Sequence, residues 1–390
     1  MWAYGVTKEI TKKVLQIPLD ERLPSMGITR LEVPHPNLLH DEVLIKPKAS
    51  ALNYNTLWSG MNHPATPFQL VSGYVKRNKA SGDHIQDFAI FGSDCAGEIV
   101  GLGGVDENWK IGDEVVVHCN VVDVNAPDAQ NDAMLAKSQS IWGYETNYGA
   151  FAEFTKVKKS QLIRKPSHLS FEESAGFSLT LSTAYRMLIS PNGARINAGE
   201  TVLIWGAAGG LGTFAIQLCK LAGAKSIAVV SSSEKAEVCK NLGADFVVDR
   251  SQTSFGPFLK DGKSDLIAWS KAKRHLASIG AEPIDVVFEH IGADTLGFST
   301  YVLRRGGRVV ICAASSGFNA EIDLRYLWME LKSIIGSHFA NYQEAADAAK
   351  LVFDGKIKTE VFETVPINKL PEMADAMWGR QTHGKIVFTH

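Results

Sequence analysis

The run GAAGGLG, Gly206 to Gly212, follows directly on the apolar run TVLIW and opens GLGTFAIQLCKLAG. Glycines at the start of a helix bare its first N–H groups and let a pyrophosphate approach the backbone. A lone glycine cluster is weak evidence. A strand before it and a helix after it make the context that of a dinucleotide-binding βαβ unit. Gly206, Ala207, Gly209, Gly210, Leu211 and Gly212 are the candidate contacts; the plainer reading is a tight strand-to-helix turn. NAD sites usually carry Asp or Glu at the end of the second strand. Here that strand ends VVSSSEK, with Ser231, Ser232 and Ser233, then Lys235, while Arg250 closes the next strand. Hydroxyls and cations suit a 2′-phosphate and point to NADPH. The rival reading of Lys235 and Arg250 is solvated surface charge.

A second stretch, IWGYETNYG at 141–149, sets one carboxylate, Glu145, among Trp142, Tyr144 and Tyr148. Burying a charge is costly unless something compensates it. These residues need elements to position them. With 390 residues the chain suits two domains. The first 175 residues read mostly as short strands and turns, as in EVLIKPKASAL, AGEIVGLG and DEVVVHC. From about 171 helix and strand signals alternate, predicting an α/β region with a doubly wound parallel sheet. SFEESAGFSLTLSTAYRML reads as a helix with Ser170 as N-cap and Glu173 three residues on. A helix over NYQEAADAAKLVFDG and a strand over GKIVFTH close the chain.

Bulk properties exclude other classes. The net charge of −2 gives no general drive toward nucleic acid or anionic membrane. Residues 201–219 are uncharged and near membrane-spanning length, but the central glycines favour a turn. The five cysteines never form a CxxC pair, which argues against a disulfide framework or structural zinc and fits a reducing cytoplasm.

A β-rich N-terminal domain followed by a GxxGGxG Rossmann unit resembles the medium-chain dehydrogenase/reductases. Its alcohol dehydrogenases carry a Gly-His-Glu zinc motif where this chain reads FGSDCAGEIVG, with Ser93 and Asp94 in place of His and Glu. No metal site is expected, and hydride transfer to an activated C=C becomes the better reading. Within that superfamily, ALNYNTLWSG (51–60), GSDCAGEIV (92–100), GDEVVVHCN (112–120), IWGYETNYGAFAEF (141–154), STAYRML (182–188), VVFEHIG (286–292) and LRYLWMELKSIIGSHFAN (324–341) resemble the crotonyl-CoA carboxylase/reductases over nearly the whole chain.

The resemblance implies a GroES-like catalytic domain over 1–175, a Rossmann domain over 176–340, and a return of 341–390 to the first domain. It implies reduction of an enoyl-CoA with NADPH and capture of the enolate by CO2, in a cytoplasmic homotetramer without nucleic-acid or membrane partners. Asn55, Tyr144, Glu145 and His338 match the family's CO2 pocket, with Asn53 as the alternative amide. A carboxamide or imidazole N–H can hydrogen-bond the CO2 oxygens, and an aromatic ring can exclude water. His290 in FEHIG is a candidate near the nicotinamide, although the family typically reads EHPG, so Ile291 departs. For CoA the candidates are Arg325, which matches a family position, Arg305, and Lys271, Lys273 and Arg274 of WSKAKRHL. The insert at 253–282 is shorter than is usual in the family. The rivals are a non-carboxylating enoyl-CoA reductase, acting for example on acryloyl-CoA, and, more remotely, a non-catalytic NADPH-binding protein.

Overall fold

The computed structural model of the chain describes residues 1–78 and 82–390. The chain forms two compact units, Met1–Leu179 with Asn341–His390, and Thr180–Ala340.

The second unit is built on a six-stranded sheet in the order Phe246–Asp249, Lys225–Val230, Thr201–Ile204, Val286–Glu289, Arg308–Ile311, Ser333–Gly336. Every neighbouring pair is parallel. The strand order therefore reverses between Thr201–Ile204 and Val286–Glu289, the switch point at which such sheets bind ligands. TVLI and VVFE are buried at every residue, as central parallel strands covered on both faces must be. Trp205, Phe255, Phe258, Trp269 and Phe298 fill the core beside them. Each such side chain contributes about 1.5–3 kcal/mol when fully buried. Residues 201–219 fold as a strand, a turn and the start of the helix Gly210–Ala222. Among the described residues, no helix is long and apolar enough to cross a membrane.

The first unit centres on the long strand Glu42–Ala51, which pairs with Cys95–Leu102, Thr155–Lys158 and the last strand, Lys385–Thr389. The chain re-enters this unit through the helix Tyr342–Phe353, whose N-terminus carries a capping box between Asn341 and Glu344.

Two expectations need correction. The first 175 residues also contain the helices Lys8–Leu15, Tyr54–Met61 and Pro67–Asn78. In YNTLWSGM the aromatic, β-branched and glycine residues have weak helix preference, which masks the helical signal. The segment expected as one helix after Ser170 is two, Phe171–Ala175 and Ser178–Leu188. Its start is as expected: Ser170 Oγ accepts from the Glu173 N–H and Glu173 Oε2 accepts from the Ser170 N–H. Then Ser178 Oγ donates to Val117 O at 2.8 Å and the Leu179 N–H to Asp94 Oδ1 at 2.8 Å. These bonds tie 178–179 to the first compact unit, which runs through Leu179.

Candidate active site

In the second unit the glycine loop leaves the sheet at the switch point. Gly206 has φ +53, and a Cβ there would sit 2.8 Å from Cε1 of His290. Only glycine fits both the conformation and the space. Gly212 packs so closely that a Cβ would lie 2.5 Å from Ala207 Cα. The helix Gly210–Ala222 starts at Gly209 with no side-chain cap. Its first N–H groups are thus left for an anion. Val230 and Asp249 are register partners, so Ser231 and Arg250 leave adjacent strands side by side. Ser232 caps the helix Ser233–Asn241 by accepting from the Lys235 N–H at 3.3 Å. Arg250 Nε donates to Phe255 O at 3.1 Å. A bare helix N-terminus with hydroxyls and two cations beside the next strand fits a dinucleotide with a 2′-phosphate.

His290 Nε2 lies 2.8 Å from Trp205 O. A carbonyl only accepts, so Nε2 carries the proton. Burial lowers the imidazole pKa against the opposing effect of that carbonyl, which keeps the ring neutral. The adjacent Glu289 is fully buried. Its carboxylate accepts from the N–H groups of Ile291 (2.7 Å) and Gly292 (3.2 Å) and from the hydroxyls of Thr295 and Ser299. Burial outweighs these donors and raises its pKa.

The first unit holds a second polar cluster. Asn53 stands at the N-cap of Tyr54–Met61, yet its side chain makes no cap. That forgoes a bond typically contributing about 1 kcal/mol. Instead Nδ2 donates to Asp94 Oδ2 at 2.9 Å and Oδ1 accepts from Lys385 Nζ at 2.7 Å. Between an ammonium and a carboxylate the amide has one orientation and no free end. Asn55, buried, bonds Ser93 Oγ at 2.9 Å through Nδ2, while its Oδ1 has no hydrogen-bond partner. Of the two amides considered, Asn55 therefore has an unengaged end and Asn53 has none. Among the described residues no group of three or more His, Cys, Asp or Glu could hold a metal ion.

Glu145 is compensated from two sides. Its Oε2 accepts from the Ile141 N–H at 2.9 Å and its Oε1 from Arg77 Nη2 at 3.3 Å, and Arg77 also holds Ser140 Oγ at 2.9 Å. Burial still dominates and raises its pKa, with the Ile141 N–H and Arg77 pulling the other way. The Tyr144 hydroxyl is pushed up to about 12 by burial and by the Glu145 charge.

His338 belongs to the second unit. Its side chain is exposed to water, yet enough protein surrounds it to lower its pKa, with Arg186 adding to the effect. It is neutral at pH 7 and can donate one N–H. The next residue, Phe339, has φ +44, a strained value for an aromatic residue, and its ring stands 4.5 Å from the imidazole.

The alcohol dehydrogenase GroES-like domain model matches residues 40–167, and the zinc-binding dehydrogenase model matches residues 210–354. A crotonyl-CoA reductase of Streptomyces collinus is 41% identical over 385 residues, covering 98% of this chain and 86% of that protein. A crotonyl-CoA carboxylase/reductase of Cereibacter sphaeroides is 38% identical, with 89% of this chain and 79% of that protein covered. This chain belongs to the crotonyl-CoA carboxylase/reductase family. The structure of the 2-octenoyl-CoA carboxylase reductase CinF, in complex with NADP and 2-octenoyl-CoA, matches with a TM-score of 0.92 at 38% identity, over 100% of this chain and 87% of that one.

The cations suggested for CoA have varied surroundings. Arg325 makes a two-point contact with Asp323 at 3.0 and 2.7 Å, so an anion there competes with a carboxylate. Arg305 donates to Met329 O at 3.1 Å. On the helix Leu266–Ser278, Lys271 is exposed, Lys273 lies 5.4 Å over the Tyr301 ring and Arg274 bonds Ser270. Sequence reasoning about this family member missed Arg77, Glu289 and Lys385. Lys385 left one faint trace, a charge opening the otherwise apolar strand KIVFT.

Proposed function

We propose that the chain is an NADPH-dependent enoyl-CoA carboxylase/reductase that converts a crotonyl-CoA-like substrate to an alkylmalonyl-CoA. The observation that carries this reading is the likeness, over the whole chain, to CinF solved with NADP and an enoyl-CoA. Bound NADPH supplies the hydride, which adds to the β-carbon and leaves an enolate. Carbon–carbon bond formation between the α-carbon and CO2 then gives the carboxylate.

The first N–H groups of Gly210–Ala222 hold the pyrophosphate, and Ser231, Ser232, Lys235 and Arg250 hold the 2′-phosphate. His290, its proton spent on Trp205 O, shapes the loop beside the nicotinamide. Arg325 and Arg305, with Lys271, Lys273 and Arg274, serve the CoA phosphates. For CO2 the reading assigns N–H donation to Asn55 and His338, exclusion of water to Tyr144, and orientation of a neighbour or a water to Glu145. Homotetrameric assembly in the cytoplasm belongs to the same reading and rests on the resemblance; a monomer by light scattering would remove the tetramer.

One observation favours a second reading, an enoyl-CoA reductase that takes a proton. One of the two Asn55 N–H groups is given to Ser93, and the amide atom with no partner is the oxygen, which cannot donate to CO2. A hydroxyl donates as well as accepts, so a half-turn of the amide keeps one bond to Ser93 and turns both N–H groups toward CO2. The deciding experiment measures NADPH oxidation with crotonyl-CoA, with and without bicarbonate and carbonic anhydrase, followed by product masses. A product heavier by one CO2 is expected; a saturated acyl-CoA under both conditions establishes the plain reductase. For the cofactor, Lys235→Glu is expected to lower kcat/KM for NADPH about 10–100-fold, the worth of one hydrogen bond to a charged group. An unchanged preference over NADH removes Lys235 from the site.

A further inference from the structure

Two side-chain rungs join segment 52–55 to segment 93–94: Asn53 to Asp94, and Asn55 to Ser93, each 2.9 Å. One ammonium closes the set. Lys385 Nζ donates to Leu52 O at 3.1 Å, Asn53 Oδ1 at 2.7 Å and Asp94 Oδ2 at 3.0 Å. The Lys385 and Asp94 side chains are 2% and 0% exposed. The other Asp94 oxygen takes the Leu179 N–H.

We propose that Lys385 and Asp94 are positioning residues for the Asn55 amide, and that through it they set whether the enolate takes CO2 or a proton. The proposal rests on the reading of Asn55 as a CO2 contact and deepens it.

An ammonium has three N–H bonds, and here all three have acceptors. Lys385 therefore has nothing left to donate to a substrate, and its influence must pass through its neighbours. Those neighbours are the residues that fix Asn55. Leu52 and Asn53 lead into the first turn of its helix, and Asp94 is the chain neighbour of Ser93, which accepts from the Asn55 side chain. Lys385 itself is held in an interior strand, between Glu42–Ala51 and Val361–Pro366. Rigid support of this kind matters for one branch of the reaction more than the other. CO2 is neutral and weakly bound, so its capture depends on a donor held to a fraction of an ångström. A proton from water needs no such placement. Loosening the clamp should therefore cost carboxylation more than hydride transfer.

The alternative is a tether that only stabilises the fold, in which case both products fall together. The test uses Lys385→Met, which keeps the stem, and Lys385→Met/Asp94→Asn, which leaves no lone buried charge and serves if the single variant does not fold. Each is assayed with crotonyl-CoA, NADPH, bicarbonate and carbonic anhydrase. The expected result is a carboxylated-to-saturated product ratio lower by about tenfold or more, with total NADPH oxidation falling less. In an Asn55→Ala background the same substitutions should leave the ratio where Asn55→Ala already put it, because residues acting through one another are not additive. An equal fall in both products, or the same further drop in the Asn55→Ala background, overturns the proposal while carboxylation by the parent protein stands. A parent protein yielding only saturated product, or a ratio indifferent to Asn55→Ala, overturns the CO2 reading and this proposal with it.

Discussion

Asp94 in the first unit and Glu289 in the second are both carboxylates with no exposed surface, and they are compensated in opposite ways. Asp94 meets a full positive charge, Lys385, along with the Asn53 amide and one backbone N–H. Glu289 meets only neutral donors, two backbone N–H groups and two hydroxyls. The neutral arrangement leaves its pKa raised, so burial wins over four hydrogen bonds. Asp94 is one half of an ion pair, whereas Glu289 is held by dipoles alone.

That contrast can be broken by substitution. Lys385→Met strands a buried anion, and losing one partner of such a pair typically costs about 3–5 kcal/mol. Adding Asp94→Asn should restore more than half of this, measured as urea midpoints. A single variant within ~1 kcal/mol of the parent would mean that water reaches Asp94 and that the pair is weaker than its burial indicates. Glu289→Gln keeps an acceptor for the Ile291 and Gly292 N–H groups, and the hydroxyls can rotate to accept from the new amide. It should cost about 1 kcal/mol, one net hydrogen bond. A loss as large as that of Lys385→Met would make the two carboxylates equivalent after all.

Legibility in the sequence follows the same divide. The Glu289 arrangement is local: its donors lie 2 to 10 residues away along the chain. The glycine loop is local too, as is the capping box from Ser170 to Glu173, and both could be read from spacing. The other cluster is assembled from afar, with Lys385 332 residues from Asn53 and 291 from Asp94. No periodicity reports such a contact. Asp94 was visible only as a departure from a zinc motif, and nothing in the sequence shows that the Lys385 ammonium engages the Asn53 amide. Arg77 likewise comes from 68 residues away to meet Glu145. The fold was legible because strands and helices repeat along the chain. The site was legible only where one loop carries it, and the remainder rested on family resemblance.

The raised pKa of Glu289 gives a finer test. A raised folded-state pKa means that the folded protein holds the proton of Glu289 more tightly than the unfolded chain, whose value is near 4.3. Its contribution to stability is complete below that value and is lost as pH rises through the folded pKa. Across that window one proton changes stability by at most about 1.4 kcal/mol per pH unit. Glu289→Gln should remove this component, so the difference between parent and variant should vary with pH above the unfolded value. A constant difference from pH 4 to 8 would mean that Glu289 does not titrate there.

Ile291→Pro is the subtlest way to separate the two carboxylates. Ile291 departs from the family's EHPG, and its N–H makes the shortest backbone bond to Glu289, 2.7 Å. Proline removes that donor, which costs about 1.5–3 kcal/mol while the carboxylate is charged. Proline also restricts the unfolded chain, which returns about 0.4–1 kcal/mol where the backbone accepts it. The net change where the carboxylate is charged should therefore be a loss of about 0.5–2.5 kcal/mol. That loss should depend on pH: with one donor fewer, the charged form is less favoured and the Glu289 pKa rises further. The variant should gain on the parent as pH falls, because a protonated Glu289 misses the Ile291 N–H less. Urea midpoints at neutral and mildly acidic pH measure this. An equal offset at both would mean that the Ile291 N–H does not distinguish the charged from the neutral acid, and that Glu289 is held by the Gly292 N–H and its hydroxyl partners.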